Sequence, residues 1–123
     1  KYGIRKYGFH GTSYKYITET MKNKLNKENV NLIICHLGSG GSLCAIKDSK
    51  SINTTMGFTP NAGIMMGTRS GDIDYSIIDY YISQTGCSLK DVDTILNKKS
   101  GLAGISNGTV ISDCFYEGLL RPP

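Results

Sequence analysis

The spacing of apolar residues predicts a helix near the start of the chain. Between residues 14 and 25 they recur at the interval typical of the buried face of an amphipathic helix. This predicted stripe consists of Tyr14, Ile17, Met21 and Leu25. The small residues just before it, at 11–13, are typical of a helix N-cap. Residues 1–9 are predicted to form a short extended segment.

Three short apolar runs separated by turn-forming residues predict a β-meander. The runs are residues 30–34, 43–46 and 51–55. A glycine-rich turn joins the first run to the second, and a polar turn at 47–50 joins the second to the third. The middle strand is therefore expected to be hydrogen-bonded on both sides.

A long loop rich in glycine and methionine follows the predicted meander. It covers residues 56–74, and a loop of this length in a compact domain is typical of a binding segment. Its methionines, Met56, Met65 and Met66, are expected to fill the core.

Two helices are predicted after this loop. Asp74 is placed to cap a helix that runs to about residue 83. Ser88 and Asp91 form a capping box at the start of a second helix, which extends to residue 97. Gly101 is expected to end that second helix.

The amino-acid composition favours some classes of protein and disfavours others. At 123 residues with 39% hydrophobic and 20% charged positions, the chain has the size and balance of one globular domain. No apolar run approaches the ~20 residues of a membrane span. Aromatic residues are not interleaved with the lysines, which disfavours a nucleic-acid platform, whereas a net charge of +4 suits a protein that handles small anions. Because the chain begins without methionine, we expect an upstream portion.

The cysteines indicate a reducing environment. Cys35, Cys44, Cys87 and Cys114 show no CxxC spacing. A zinc site at Cys35, His36 and Cys44 is disfavoured, because adjacent residues on a strand point to opposite faces of the sheet. Buried, reduced thiols without a secretion signal predict a cytoplasmic protein.

The glycine-rich turn at residues 36–42 is the first candidate for ligand binding. Glycines allow backbone N–H groups to converge on an anion. The turn joins a strand to a strand, whereas a Walker or dinucleotide-binding loop joins a strand to a helix. A hairpin that grips phosphate and an ordinary hairpin with a flexible tip both fit the sequence.

A histidine and an arginine add to this candidate chemistry. His10 precedes the first predicted helix, where a donor can stabilise negative charge on a substrate; the alternative is a bond to a neighbouring carbonyl. Arg69 in the long loop suits phosphate or carboxylate, or a salt bridge with Asp72 or Asp74. Those two acids can hold a divalent cation, or cap the next helix and order the loop. An anion-binding hairpin, a cationic loop and a histidine at a helix start are together typical of phosphoryl-transfer sites.

Four motifs, in this order along the chain, strongly resemble the acetokinase family. They occupy residues 7–13, 36–42, 56–60 and 66–74. The resemblance covers Lys1 to about Ser106, which corresponds to the middle portion of a full-length member. We therefore expect a partial acetokinase-family domain at 1–106 and a divergent C-terminal tail at 107–123.

The resemblance implies an α/β fold of the actin-like, ribonuclease-H-like class, here incomplete. It also implies reversible transfer of phosphate between ATP and acetate, giving acetyl phosphate and ADP, with Mg²⁺. By motif, His10 and Arg69 match the family residues that stabilise the transition state. The residues that match the loop binding the ATP phosphates are His36, Leu37, Gly38, Ser39 and Gly40.

The chain departs from the family pattern at three places. Ser39 stands where the family usually has asparagine. Its side chain is shorter and reaches less far, which is expected to affect the affinity for nucleotide. Tyr14 replaces a histidine that supports the site in the family. Residues 112–115 lack the arginine of a family nucleotide contact.

Other family residues are expected outside this chain, including the Mg²⁺ ligands, so no metal ligand is predicted here and the isolated chain is expected to be inactive. The complete enzyme is expected to be a cytoplasmic homodimer without nucleic-acid or membrane partners. Two alternatives stay open: a non-catalytic remnant that binds nucleotide or phosphate, and a fragment of a propionate or butyrate kinase.

Overall fold

The computed structural model describes residues 1–108, in which the chain forms two compact units. The first unit contains Lys1–Leu37 and Gly41–Ile64, and the second contains Gly38–Gly40 and the chain from Met65 onward. The predicted tail from residue 109 onward lies outside the described residues, as do Cys114 and the departure at 112–115.

Each unit has its own secondary structure. The elements of the first unit are α1 (Gly11–Leu25), β1 (Leu32–Leu37), β2 (Gly41–Lys47) and β3 (Lys50–Thr54). The elements of the second unit are α2 (Ser76–Thr85), α3 (Leu89–Lys98) and α4 (Gly101–Ile105). Within the described residues, none of these helices has the length and apolar character needed to cross a membrane.

The strands form the predicted meander. They make a three-stranded antiparallel sheet in the order β1-β2-β3, so the middle strand is bonded on both sides. Ile34 lies opposite Cys44 across the first pair, and a register shift between Ala45 and Ile46 interrupts the second pair. This small sheet with flanking helices is the part of the predicted α/β fold that the described residues contain.

The core of the first unit lies between α1 and one face of the sheet. Tyr14 from the helix packs with Ile34, Cys44 and Ile46 from the sheet, and Leu32 borders this cluster. Because strand side chains alternate between faces, the neighbouring residue Ile33 belongs to the opposite face and is 72% exposed.

The predicted helix α1 is confirmed, but its boundary and its buried stripe were partly wrong. The N-cap is His10 rather than one of residues 11–13. Tyr14 is buried as expected, whereas Ile17 and Leu25 are exposed. Thr18 is buried instead, because it follows Tyr14 by one helical turn and so shares its face. The Thr18 hydroxyl donates to the Tyr14 carbonyl at 2.7 Å, which satisfies this buried polar group.

The start of α2 differs from its prediction by one position. Asp74 does contribute, because its Oδ1 accepts a hydrogen bond from the Ser76 backbone N–H at 2.9 Å. The N-cap residue itself is Tyr75, which makes no side-chain capping bond.

The capping box of α3 is confirmed. The Ser88 hydroxyl accepts from the Asp91 N–H, and the Asp91 carboxylate accepts from the Ser88 N–H. Hydrogen bonds from Ser88 stabilise the ionised carboxylate and therefore lower the pKa of Asp91.

For the cysteines and for the methionines, the sequence predicted more buried residues than the structure shows. Among the described cysteines, all of which are free thiols, Cys44 is buried but Cys35 is exposed, because Cys35 lies on the sheet face that α1 does not cover. Met56 and Met66 are fully buried, whereas Met65 is 43% exposed. Neighbouring residues in an irregular segment project in different directions, so only one of the adjacent methionines reaches the interior.

The alternation of buried and exposed side chains along β1 predicts that two neighbouring isoleucines contribute differently to stability. Ile34→Ala removes a side chain that is 6% exposed and should lower the free energy of unfolding by roughly 2–5 kcal/mol. Ile33→Ala, one position earlier on the open face, should change it by about 0.5 kcal/mol or less. Urea denaturation followed by circular dichroism measures both variants. Equal losses at the two positions would contradict the assignment of the faces.

Candidate functional site

His10 is held in an unusual backbone conformation at the start of α1. Its φ of 59° and ψ of 22° lie in the left-handed region, and its carbonyl accepts the first helical hydrogen bond, from the Tyr14 N–H at 3.1 Å. This conformation costs a non-glycine residue roughly 1–2 kcal/mol. Such conformations occur preferentially at functional sites, where the surrounding structure enforces them.

The His10 ring is anchored by a buried serine. Its Nδ1 lies 2.7 Å from the Ser42 hydroxyl oxygen, so this ring nitrogen bonds a hydroxyl group and not a neighbouring carbonyl. Ser42 is completely buried and also hydrogen-bonds the Tyr14 hydroxyl. Burial raises the pKa of Tyr14, and the Ser42 hydrogen bond opposes this only in part, so the phenol stays protonated at neutral pH.

A second histidine fixes the plane of the first. The His36 ring stacks on the His10 ring with 3.8 Å between centroids and 17° between planes. The Nδ1 of His36 is itself 3.0 Å from the Ser13 hydroxyl. The first unit thus brings two of the predicted site residues, His10 and His36, into direct contact.

The glycine-rich turn presents backbone N–H groups. The Gly38 N–H donates to the Gly40 carbonyl at 3.0 Å, and the Ser39 carbonyl accepts from the Gly67 N–H at 3.2 Å. Within residues 1–108, neither Ser39 nor Gly40 donates a backbone hydrogen bond outside the strands. Among the described residues these two N–H groups therefore have no such acceptor, whereas the N–H of Gly38 is already used; unbonded N–H groups in a turn can converge on an anion. Leu37, the remaining residue of the predicted phosphate loop, is half-exposed in β1.

Arg69 lies against this turn in the second unit. A Cβ atom on Gly40 would lie 2.9 Å from Nη2 of Arg69, which is closer than such contacts normally come. Glycine at this position thus lets the guanidinium lie beside the turn backbone. A guanidinium next to available N–H groups is an arrangement suited to phosphate oxygens.

The loop that carries Arg69 is fixed by backbone hydrogen bonds from the chain at α4. The Ser100 N–H donates to the Thr68 carbonyl at 3.0 Å, and the Leu102 N–H donates to the Met66 carbonyl at 2.9 Å. The Arg69 carbonyl accepts from the Met66 N–H at 3.0 Å. These bonds define the path of a segment that has no helix or strand of its own.

Gly101 is a further residue of this arrangement. The prediction that it ends α3 was wrong, because α3 ends at Lys98 with Lys99 as its C-cap and Gly101 begins α4. Its φ is +65°, and a Cβ there would lie 2.8 Å from the Arg69 carbonyl and 3.0 Å from the Gly67 carbonyl. It therefore allows close approach to the Arg69 loop as well as a left-handed turn. Because Gly101 lies far from Arg69 in the sequence, the sequence alone did not indicate this contact.

Ser42 was also missed as a functional residue. It belongs to the motif at 36–42, yet nothing in its local sequence indicates a bond to His10, which lies 32 positions away. Tyr14 was predicted as a core residue, and its second role as a hydrogen-bonding partner of Ser42 depends on the same contact.

The described residues do not contain a complete metal site. Among residues 1–108, no three His, Cys, Asp or Glu side chains are grouped so that they could hold an ion. Asp74 is engaged at the start of α2, as described above. No step involving Mg²⁺ is therefore derived from these residues.

A cavity of about 310 Å³ in the first unit is separate from the predicted site residues. Its lining includes Tyr14, Lys15, Thr18, Cys44 and Thr54, but not His10 or His36. The Thr54 hydroxyl is close enough to lower the pKa of Tyr14 slightly, yet within the described residues its buried oxygen has no hydrogen bond of normal geometry.

The close approach of Gly101 to the Arg69 loop generates a prediction. Gly86→Ala should cost roughly 1 kcal/mol of unfolding free energy, because its φ is +68° but nothing lies within 4 Å of the new Cβ. Gly101→Ala carries the same backbone cost and also forces its Cβ against carbonyl oxygens, so it should cost roughly 1–3 kcal/mol more. Urea denaturation of the two variants makes the comparison, and an equal cost would show that the contact with the loop is unimportant.

The chain is similar to bacterial enzymes along most of its length. The acetate kinase of Mycoplasmoides gallisepticum is 60% identical over 107 residues, which are 87% of this chain and 28% of the relative. The acetate kinase of Mycoplasma pneumoniae is 54% identical over 115 residues, which are 94% of this chain and 30% of the relative. The chain thus spans less than a third of the length of these relatives.

Solved structures give the same picture. A propionate kinase from Francisella tularensis matches with a TM-score of 0.86 and 44% identity, over 97% of this chain and 31% of its own. The acetate kinase of Porphyromonas gingivalis matches with a TM-score of 0.83 and 36% identity, over 94% of this chain and 31% of its own. The model of the acetokinase family matches residues 1–116. The chain therefore belongs to the acetokinase family.

Proposed function

We propose that this chain is a segment of an acetate kinase, and that the complete enzyme transfers phosphate reversibly between ATP and acetate. The observation that carries the proposal is the Arg69 guanidinium beside a glycine turn in which, within residues 1–108, the Ser39 and Gly40 N–H groups donate no backbone hydrogen bond outside the strands. Membership of the acetokinase family supports the reaction class. We further propose that the complete enzyme has the actin-like fold of the class to which the resemblance points.

Catalysis of phosphoryl transfer depends mainly on the positioning of the reactants and on hydrogen-bond donors that stabilise the negative charge of the transition state. We assign this role to His10 and Arg69. His10 donates a hydrogen bond from its ring to an oxygen of the transferring phosphoryl group, and Arg69 contributes a fixed positive charge. The loop at 36–40 holds the ATP phosphates, with Ser39 and Gly40 as its donors.

The described residues do not supply the metal ligands, and the chain spans about 30% of the Mycoplasma pneumoniae relative. Mg²⁺ and its ligands, the homodimer and the cytoplasmic location stay predictions for the complete enzyme. Propionate is the second candidate acceptor, because one matched structure is a propionate kinase. Comparing kcat/KM for acetate and propionate in the complete enzyme decides between them.

The proposal can be tested in a hybrid enzyme. The aligned 107 residues of the Mycoplasmoides gallisepticum acetate kinase are replaced by those of this chain, and acetyl phosphate formation from ATP and acetate is measured. We expect an active hybrid in which His10→Ala and Arg69→Ala each lower kcat by roughly 10²–10³-fold, as is typical when a transition-state donor is removed. Arg5→Ala, on the exposed N-terminal segment, is the matched control and should leave kcat unchanged.

Two outcomes would contradict the proposal. An inactive hybrid whose fold matches that of the active parent would mean that this segment no longer supports catalysis, as in a non-catalytic remnant. Full activity in both site variants would mean that the two residues are wrongly assigned. Calorimetry of the chain alone with millimolar ATP separates the remaining alternatives, because heat of binding is expected only if the loop still holds nucleotide.

A further inference from the structure

Ser42 connects two groups of different chemical character. On one side its hydroxyl meets the Nδ1 of His10 at 2.7 Å, and on the other it meets the hydroxyl of Tyr14. Ser42 has no exposed surface, so water does not compete for these positions. Each hydroxyl has a single proton to donate, and the direction of the bonds is therefore constrained.

The direction follows from the phenol. Tyr14 stays protonated at neutral pH, because burial raises its pKa. Within the described residues, its hydroxyl is hydrogen-bonded to Ser42, whereas the nearby Thr54 oxygen has no hydrogen-bond partner. The phenol therefore donates to Ser42. Among the described residues the Ser42 hydroxyl bonds only Tyr14 and His10, so its own proton is paired only when Nδ1 of His10 accepts it.

A neutral imidazole that accepts at Nδ1 carries its proton on Nε2. The stack with His36 and the left-handed backbone hold the ring in one orientation. The protonated nitrogen of His10 is thus specified by two residues that need not touch a substrate.

We propose that Tyr14 and Ser42 are positioning residues that hold His10 as the Nε2-protonated tautomer, ready to donate from Nε2. The inference rests on the proposed role of His10 in phosphoryl transfer. Tyr14 stands where the resemblance leads one to expect a histidine, and its phenol gives the serine a donor that stays protonated across the neutral range.

The tautomer can be measured directly in the full 123-residue chain. Two-bond ¹H–¹⁵N correlation spectra are recorded at about pH 8, where an ordinary imidazole is neutral. The chain has two histidines, and the signals that vanish in His10→Gln identify His10. We expect the wild-type His10 to show the Nε2–H form with a hydrogen-bonded Nδ1.

Two variants release the ring in different ways. Ser42→Ala removes the donor, so the Nδ1 resonance should move to that of a nitrogen without a hydrogen bond. Tyr14→Phe keeps the ring packing but frees the Ser42 proton, so a measurable Nδ1–H population should appear. Tyr16→Phe, an exposed tyrosine on the same helix, is the matched control and should leave the spectrum unchanged. Circular dichroism checks the fold of each variant.

An Nδ1–H tautomer in the wild-type chain would overturn the inference, because His10 would then donate to the Ser42 oxygen instead of accepting from its hydroxyl. Unchanged His10 signals in folded Ser42→Ala would do the same. If one variant does not fold, the wild-type spectrum and the other variant decide.

The hybrid enzyme separates this inference from the proposed function. Tyr14→Phe there should lower kcat by roughly 10–100-fold, as is typical for residues that orient a functional ligand or histidine, with KM for ATP unchanged. If His10→Ala abolishes activity but the tautomer is Nδ1–H, only the positioning inference fails. If the tautomer is as expected but His10→Ala is active, only the catalytic assignment fails.

Discussion

The hydroxyl group of Ser42 is the contact on which the first unit depends. It lies at the start of β2 without exposed surface and joins the sheet to two residues at the beginning of α1. A buried hydroxyl left without partners costs roughly 1–3 kcal/mol, so the core and the His10 ring stabilise each other's positions. The candidate catalytic group, itself half-buried, is in this sense linked to the hydrophobic core through Ser42.

In the second unit, Arg69 lies on a segment that forms neither helix nor strand, so other contacts hold this segment in place. Backbone N–H groups near α4 donate to the carbonyls of Met66, Gly67 and Thr68, which precede Arg69, and Gly101 allows the two segments to approach. The Arg69 guanidinium lies beside Gly40 of the turn. This loop is also held by the Thr68 hydroxyl, which donates to the Asn97 carbonyl at 3.1 Å. Its position depends on glycines, because their lack of a Cβ permits the short distances.

The sequence predicted the structural features that depend on residues close together along the chain. The meander and the capping box of Ser88 and Asp91 depend on residues a few positions apart, and both are confirmed. The buried stripe of α1 was partly wrong, because the face that contacts the sheet follows from the tertiary packing. A serine could not be recognised as a partner of His10 for the same reason, since their contact spans 32 positions. The resemblance to the acetokinase family predicts the residues of the site, but not the hydrogen bonds that the structure shows around them.

The central claim is that His10 is prepared to meet charge that develops only in the transition state. Such a group should contribute little to the binding of ATP and much to the binding of a transition-state mimic. Calorimetry of the hybrid enzyme with MgADP, acetate and aluminium fluoride, compared with MgATP alone, measures this difference. The account predicts that His10→Ala weakens the mimic by about 100-fold and MgATP by much less. Equal losses for both ligands, or none for either, would contradict it.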